Sequence, residues 1–380
     1  MSRAIIHINI ADFAVAVERV VDSRLVNRPI IIAPKGSVRA AVYDMSEEAY
    51  QCGVRKHMAL KRALRVCPDA WTLPPHPDRY ERAMRSVLKQ ALPFSPLIES
   101  GERDGHLFVD VTGTCRLWGP PVDVAWRLSR HMKNGLSLAP IWSVASNKLV
   151  AKVATRLVKP MGEYVVGNGE EQTVLAPLPI GFIPGIEQND LLKFRELNLA
   201  TVSQIAALRL EHLRVPFGSR ALFLYESVRG IDTSPVLPVG KRRPVIRVGH
   251  EFSEDTNGLE VLEQALYRLT EDAGRELRRR RLAARRISIV LDYTDGIRRT
   301  RQLIARPATA NDTTLFKLAR QTLFLVWTRR VRIRHMRLVC DRLVFPPAQA
   351  SLFPDLRKER QERLVAALDR IRERFGRDVI

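Results

Sequence analysis

Apolar residues along this chain keep several different rhythms. Residues 4–10 (Ala-Ile-Ile-His-Ile-Asn-Ile) are apolar except at two positions, which suits a strand buried on both faces. Asp12 then stands where a helix running to about residue 21 needs its cap. Apolar runs at 30–34 and 38–43 read as two more strands. Helical spacing follows from Ser46 to Gly53, over 58–66 before Pro68, and over 80–92 after the Pro74 to Pro77 break. Residues 97–100 and 106–111 flank a polar turn with Gly and Asp, a hairpin signature. A Pro-started helix is expected over 121–132, a strand over 141–145 and a helix over 147–157.

The rhythm changes after residue 165. Pro184-Gly185-Ile186 precedes a helix to about 197, and further short helices are expected at 200–208, 210–215 and 219–228. Short helices around a Gly-containing turn can offer backbone N–H groups to a phosphate. Residues 234–246 hold three prolines and the run Lys241-Arg242-Arg243, the composition of an extended tether. Residues 247–345 predict a second α/β unit, with a helix at 259–280, strands at 285–293 and 299–304, a helix at 312–327 and a strand at 330–339. Pro346-Pro347 opens the last segment, and a charged amphipathic helix over 358–375 ends at Gly376. The fold class expected is α+β, in several domains.

Length and charge sharpen this picture. A chain of 380 residues implies roughly two to four domains. No stretch approaches the roughly 18 consecutive apolar residues of a membrane span, so no membrane partner is expected, and the first residues read as a core strand rather than a signal peptide. Lys and Arg number 62 against 41 Asp and Glu, a net charge of +21. Residues 241–343 carry 24 cations and 12 anions, more than their share of the surplus. Such clustering points to a polyanionic partner. Lys148, Lys152 and Arg156 recur every four residues on one helix face. Arg278, Arg279, Arg280 and Arg281 form a run at a helix end, and Arg330, Arg332 and Arg334 alternate so as to share one strand face. Four cysteines without a CxxC pair suggest inert thiols in a reducing cytoplasm. His7 and three tryptophans (Trp118, Trp126, Trp142) read as core.

The order of these parts resembles the Y family of translesion DNA polymerases over nearly the whole chain. The resemblance is carried by the opening strand and helix (5–18), Gly53-Val54-Arg55, Cys67-Pro68, Val109-Asp110-Val111-Thr112, residues 146–154, Lys159-Pro160, Pro184-Gly185-Ile186 and Arg229-Gly230-Ile231-Asp232. It implies a right-hand architecture: palm and fingers over 1–165 (fingers about 20–75), a helical thumb with helix–hairpin–helix over 166–233, a linker over 234–246 and an α/β little finger over 247–345. Residues 346–380 would supply a clamp-binding peptide and a C-terminal helix. Gln349-Ala350-Ser351-Leu352-Phe353 resembles the bacterial sliding-clamp peptide, with Gln349, Ser351, Leu352 and Phe353 as the contacting residues.

The same resemblance exposes a deficit. Two-metal nucleotidyl transfer needs carboxylates to hold Mg²⁺. The family's three metal-binding carboxylates fall on Asn9, Gly105 and His106. The aromatic gate falls on Ala14, and the triphosphate-gripping Tyr and Arg fall on Glu47 and Tyr50, whereas Lys159 matches the family's triphosphate lysine. A shifted alignment offers Asp12, Asp104 and Asp110 as fallback ligands. The expectation is therefore a DNA-binding member without catalysis, requiring no cofactor. It would be bound to primer–template or damaged DNA through Lys148, Lys152, Arg156, Gly185 and the arginine groups, and to the sliding clamp. It would serve another polymerase in the nucleoid, as the silent mutasome-type members do. The alternative is a weak Mg²⁺-dependent translesion polymerase with rearranged ligands.

Overall fold

A computed structural model describes residues 3–34, 40–101, 103–239 and 245–345, together with 365, 367–371 and 374 of the C-terminal helix. The chain divides into two compact units, Met1–Arg242 and Arg243–Ile380.

Unit 1 begins with β1 (Ile5–Asn9) and α1 (Phe13–Val21), then β2 (Ile30–Ile32), β3 (Asp44–Met45), α2 (Glu47–Gln51), α3 (Leu60–Val66) and β4 (Trp71–Leu73). It continues with α4 (Pro77–Ala91), β5 (Ile98–Ser100), β6 (His106–Asp110), α5 (Cys115–Trp118), α6 (Pro121–Leu136), β7 (Ile141–Ala145), α7 (Lys148–Leu157) and β8 (Glu163–Val165). Five strands form one sheet in the order β5-β6-β1-β7-β8, so β1 is central and buried at every position. Strand alternation divides its residues between two faces. Ile6 and Ile8, with Leu107, Val109, Trp142 and Val144, join the core that takes in Met84 and Val87 of α4 and Leu128 of α6. The opposite face carries His7 and Asn9, and α7 covers it: the Ser143 hydroxyl donates to Ala151 O at 2.7 Å. The small sheet β3-β2-β4 closes a separate core with α2 and α3, in which β2 and β4 run parallel.

Five short helices complete unit 1: α8 (Glu171–Leu175), α9 (Gln188–Glu196), α10 (Val202–Ala206), α11 (Leu210–Phe217) and α12 (Ala221–Ser227). They pack with the apolar side of α7 around Phe194, Phe217 and Leu224. Gly185 adopts φ +86°, and a Cβ there would stand 2.7 Å from the Phe223 ring, so only glycine fits this turn.

Unit 2 contains β9 (Ile246–Thr256), α13 (Leu259–Arg279), β10 (Ala284–Tyr293), β11 (Arg298–Thr309), α14 (Asp312–Val326) and β12 (Ile333–Asp341). Its antiparallel sheet has the order β11-β10-β12-β9. Both helices bury their apolar stripes on one face, through Leu266 and Leu323 against Ile287, Ile289 and Met336.

Several sequence expectations move. The strand expected at 38–43 partly falls outside the described residues, and the pairing observed lies at Asp44–Met45. Asp12 occupies the position before α1 but makes no side-chain cap; it is left-handed, with φ 45° and ψ 50°. Trp126 is 49 % exposed rather than core, and Cys52 and Cys115 are exposed. Strand β9 was not anticipated. The last strand starts at Ile333, so Arg330 and Arg332 precede it and Arg334 falls at a register shift between Ile333 and His335. These three arginines therefore do not line one strand face, although each is exposed.

Candidate functional site

The register of the central strands assembles the site. Asn9 lies opposite His106 on β6, and His7 lies opposite Phe108, so all four side chains share the face under α7. His7 Nε2 sits 3.1 Å from His106 Nδ1, and His7 Nδ1 sits 2.8 Å from Thr155 Oγ1 on α7. The Thr155 hydroxyl donates to Lys152 O at 3.0 Å. That fixes the direction of the chain: Thr155 Oγ1 accepts from His7 Nδ1–H, and His7 Nε2 accepts from His106 Nδ1–H. His106 Nε2 then keeps a lone pair, because its ring is neutral. Burial pushes His106 down to about 4, with Lys152, Lys159 and Arg156 acting in the same direction and Asp104 opposing them. Burial holds His7 well below its ordinary value too, assisted by His106 and the same three cations.

Gly105 precedes this pair with φ +73°. Its carbonyl accepts from Ile10 N at 3.0 Å, and a Cβ on it would meet Ile10 O at 2.8 Å and Phe13 Cβ at 2.9 Å. The backbone here has closed over the space a side chain would need.

The fallback carboxylates do not converge. Asp110 pairs with Ile5, four residues from the Asn9 end of β1 and so about 13 Å away. Its Oδ1 accepts from Thr112 N. Asp104 Oδ1 accepts from His106 N at 3.2 Å. Asp12 is raised to about 6, first by burial and then by Asp44, against the pull of Lys159 and Lys56. Asp44, a buried carboxylate the sequence reading passed over, is already committed. It accepts from Ala14 N at 3.0 Å and Met45 N at 3.1 Å, and pairs with Lys56 Nζ at 2.8 Å. Among the described residues no group of three or more His, Cys, Asp or Glu side chains could hold a metal ion. The donor set around Asn9 is amide, neutral imidazole and cation, and it does not fit a magnesium pair.

The surrounding nucleotide positions are also placed. Ala14 is buried at the start of α1. Glu47 stands in the first turn of α2, where Gln51 donates to it at 3.3 Å. Tyr50 is half-exposed, and the Arg55 guanidinium lies 3.8 Å from its ring centroid. A cation thus returns close to this position from a residue that the sequence offered only as part of Gly53-Val54-Arg55. Burial lowers Lys159 from its ordinary value, and Asp12 pulls the other way.

The proposed DNA-facing cations separate into engaged and exposed groups. Lys148 is paired with Glu99 at 3.0 Å, its side chain 16 % exposed. Arg156 donates to Phe182 O at 2.6 Å. Arg278 is not a surface cation: its guanidinium binds Asp312 at 2.7 Å and Asp369 of the C-terminal helix at 2.6 Å. Arg279 and Arg280 both turn to Glu276, and Arg281 follows the helix end at φ 54°. Arg299 and Arg301, on the exposed edge strand β11, are cations that the sequence reading did not single out. Gln349, Ser351, Leu352 and Phe353 lie outside the described residues.

Comparison with known proteins decides the family. The impB/mucB/samB family matches residues 8–156, and its C-terminal domain matches 243–352. A DNA polymerase IV of Desulfatibacillum aliphaticivorans is 31 % identical over 98 % of this chain and 94 % of its own length. This chain belongs to the Y family of DNA polymerases. A second DNA polymerase IV, from Caulobacter vibrioides, is 30 % identical over 98 % of the chain and 92 % of its own length. Among solved structures, a Y-family polymerase chimera of Dbh and Dpo4 superimposes with a TM-score of 0.77 at 20 % identity, covering 90 % of this chain and all of that one. DinB of Sulfolobus solfataricus gives 0.63 at 20 % identity, covering 90 % and 99 %. The α+β, right-hand class read from the sequence is the fold these Y-family structures share.

Proposed function

We propose that this Y-family chain holds primer–template or damaged DNA without performing two-metal nucleotidyl transfer. One observation carries the reading: the strand register sets Asn9 beside neutral His106, with Gly105 closed off by Ile10 O and Phe13. No carboxylate stands at any of the three positions from which a family member would grip metal. Residues 1–165 would serve as palm and fingers, 166–233 as thumb and 247–345 as little finger. Phosphate contacts would come from Lys152, the Gly185 turn and the exposed Arg299, Arg301, Arg330, Arg332 and Arg334, giving sequence-independent, salt-sensitive binding. The net charge of +21 supports that mode.

The accessory role extends this reading. The segment Gln349 to Phe353 would dock on a bacterial sliding clamp, its Leu352-Phe353 pair filling an apolar pocket. The chain would then hold a lesion site in the nucleoid for a catalytic partner. A pull-down on the clamp with Leu352→Ala/Phe353→Ala should lose binding; undiminished binding removes the clamp from the account.

A specific observation favours the second reading, an active translesion polymerase. The relatives matching 98 % of this chain are named DNA polymerase IV. Primer extension separates the two. With Mg²⁺ or Mn²⁺ the chain should shift labelled primer–template in a gel yet add no nucleotide. Extension that disappears on Asp12→Ala or Asp104→Ala substitution would establish the polymerase reading instead.

A further inference from the structure

Two of the four thiols, read from the sequence as inert, meet in the fold. Cys52 follows the last turn of α2, and Cys67 follows the last turn of α3. The two helix ends touch: a Cβ on Gly53 would stand 3.2 Å from Val66 Cγ1. Cys67 is buried in the core that also takes in Ala49 and Val54, which flank Cys52 in the chain. Cys52 itself is exposed. Burial pushes the Cys67 thiol up to about 11, and its hydrogen bond with Cys52 acts in the same direction. The pair is therefore asymmetric: one sulfur is open to solvent, and its neighbour is a buried, protonated thiol. The other two cysteines lie elsewhere, Cys115 exposed in α5 and Cys340 buried in β12 of unit 2.

We infer that Cys52 and Cys67 form an oxidisable dithiol, which a peroxide converts into a reversible disulfide tying α2 to α3. The Cys52 thiolate attacks a peroxide oxygen; the O–O bond breaks, hydroxide leaves, and Cys52 becomes a sulfenic acid. Cys67 then loses its proton to water and its sulfur attacks Cys52 Sγ; the S–S bond forms and the S–O bond breaks as hydroxide leaves. Two thiols lose two electrons, and one hydrogen peroxide is reduced to two waters. A thiol held near 11 is a slow nucleophile in bulk solution, but Cys67 is already placed beside the sulfur it must attack. The closed loop would contain all of α3 and Arg55, the cation over the Tyr50 ring. In reducing compartments such bonds are the transient, redox-sensing kind. The inference holds whether or not the chain catalyses nucleotidyl transfer.

The test uses the whole chain, reduced, freed of reductant and treated with hydrogen peroxide. It is then alkylated under denaturing conditions and mapped by peptide mass spectrometry. A peptide joining Cys52 to Cys67, lighter by two hydrogen atoms than its parts, should appear in the monomer and vanish on treatment with dithiothreitol. The oxidised chain should melt at a higher temperature than the reduced one, because the cross-link restricts the unfolded state. Cys52→Ser should lose both the linked peptide and the melting shift, with Cys67 left open to alkylation. The melting temperature of the reduced variant reports its folding, and the peptide map of the unaltered chain stands without it. Cys52 oxidised to sulfinic acid while Cys67 stays a free thiol overturns the proposal. So does a cross-link from Cys52 to Cys115 in its place, or two thiols that remain unreacted.

Discussion

At residue scale, the proposed absence of a metal site rests on the backbone as well as on the side chains. Asn9 and His106 differ from acidic residues only in their side chains, but Gly105 is held at φ +73° beneath Ile10 O and Phe13. Gly105→Asp, which would restore one family carboxylate, must strain a left-handed backbone and displace packed atoms. It should destabilise unit 1 by about 1–3 kcal/mol, measured by urea unfolding; a neutral result would show that the turn relaxes freely. Asp12 makes a second residue-scale prediction. Its folded value of about 6 exceeds its ordinary 3.8, so the fold disfavours its ionised form. Whatever stability this group contributes is complete below about pH 4 and lost as pH rises through 6. Asp12→Asn should therefore stabilise the chain by about 1–2 kcal/mol at pH 7–8, after allowance for its partial exposure, with the gain vanishing near pH 4. A gain that grows on acidification would contradict the assignment.

At the scale of elements, identical-looking cationic runs have different fates. Arg278 lies inside unit 2, joining α13 to Asp312 of α14 and to Asp369 of the C-terminal helix. Gly274, one turn earlier on α13, leaves the room that Asp312 occupies. Arg278→Ala should lower stability by about 2 kcal/mol or more by stranding two partly buried carboxylates, while leaving the salt dependence of DNA binding unchanged. Arg332→Ala should do the reverse: stability held, and the slope of log K against log salt reduced by about 1. If the two variants exchange behaviours, the division between engaged and exposed cations is wrong. Sequence could not make this division. The run 278–281 reads as surface charge, and the partner that engages its first member is 91 residues away. The hairpin 98–110, the helix 148–157 and the alternation in β10 were legible because each advertises a local period. Strand β9 was not, because its polar outer positions and edge placement leave few apolar residues to mark it. The site was half legible. Position-by-position correspondence found Asn9, Gly105 and His106, but the proton chain through Thr155 and the commitment of Asp44 depend on contacts between distant segments.

At the scale of the whole molecule, the chain matches a DNA polymerase IV over 98 % of its length, while the positions that the family resemblance assigns to metal-binding carboxylates hold Asn9, Gly105 and His106. Family membership fixes the architecture, and the residues at the end of β1 decide what that architecture does here. Around Asn9 stand buried His7, half-buried His106 and a buried side-chain amide without a partner, a donor set unlike a cluster of carboxylates. The most direct test is a titration of the whole chain with Mn²⁺, followed by electron paramagnetic resonance, with primer–template DNA present. The account predicts that the signal of free Mn²⁺ persists as in a DNA-only control. Stoichiometric loss of that signal, abolished by His106→Ala or Asp12→Ala, would contradict it.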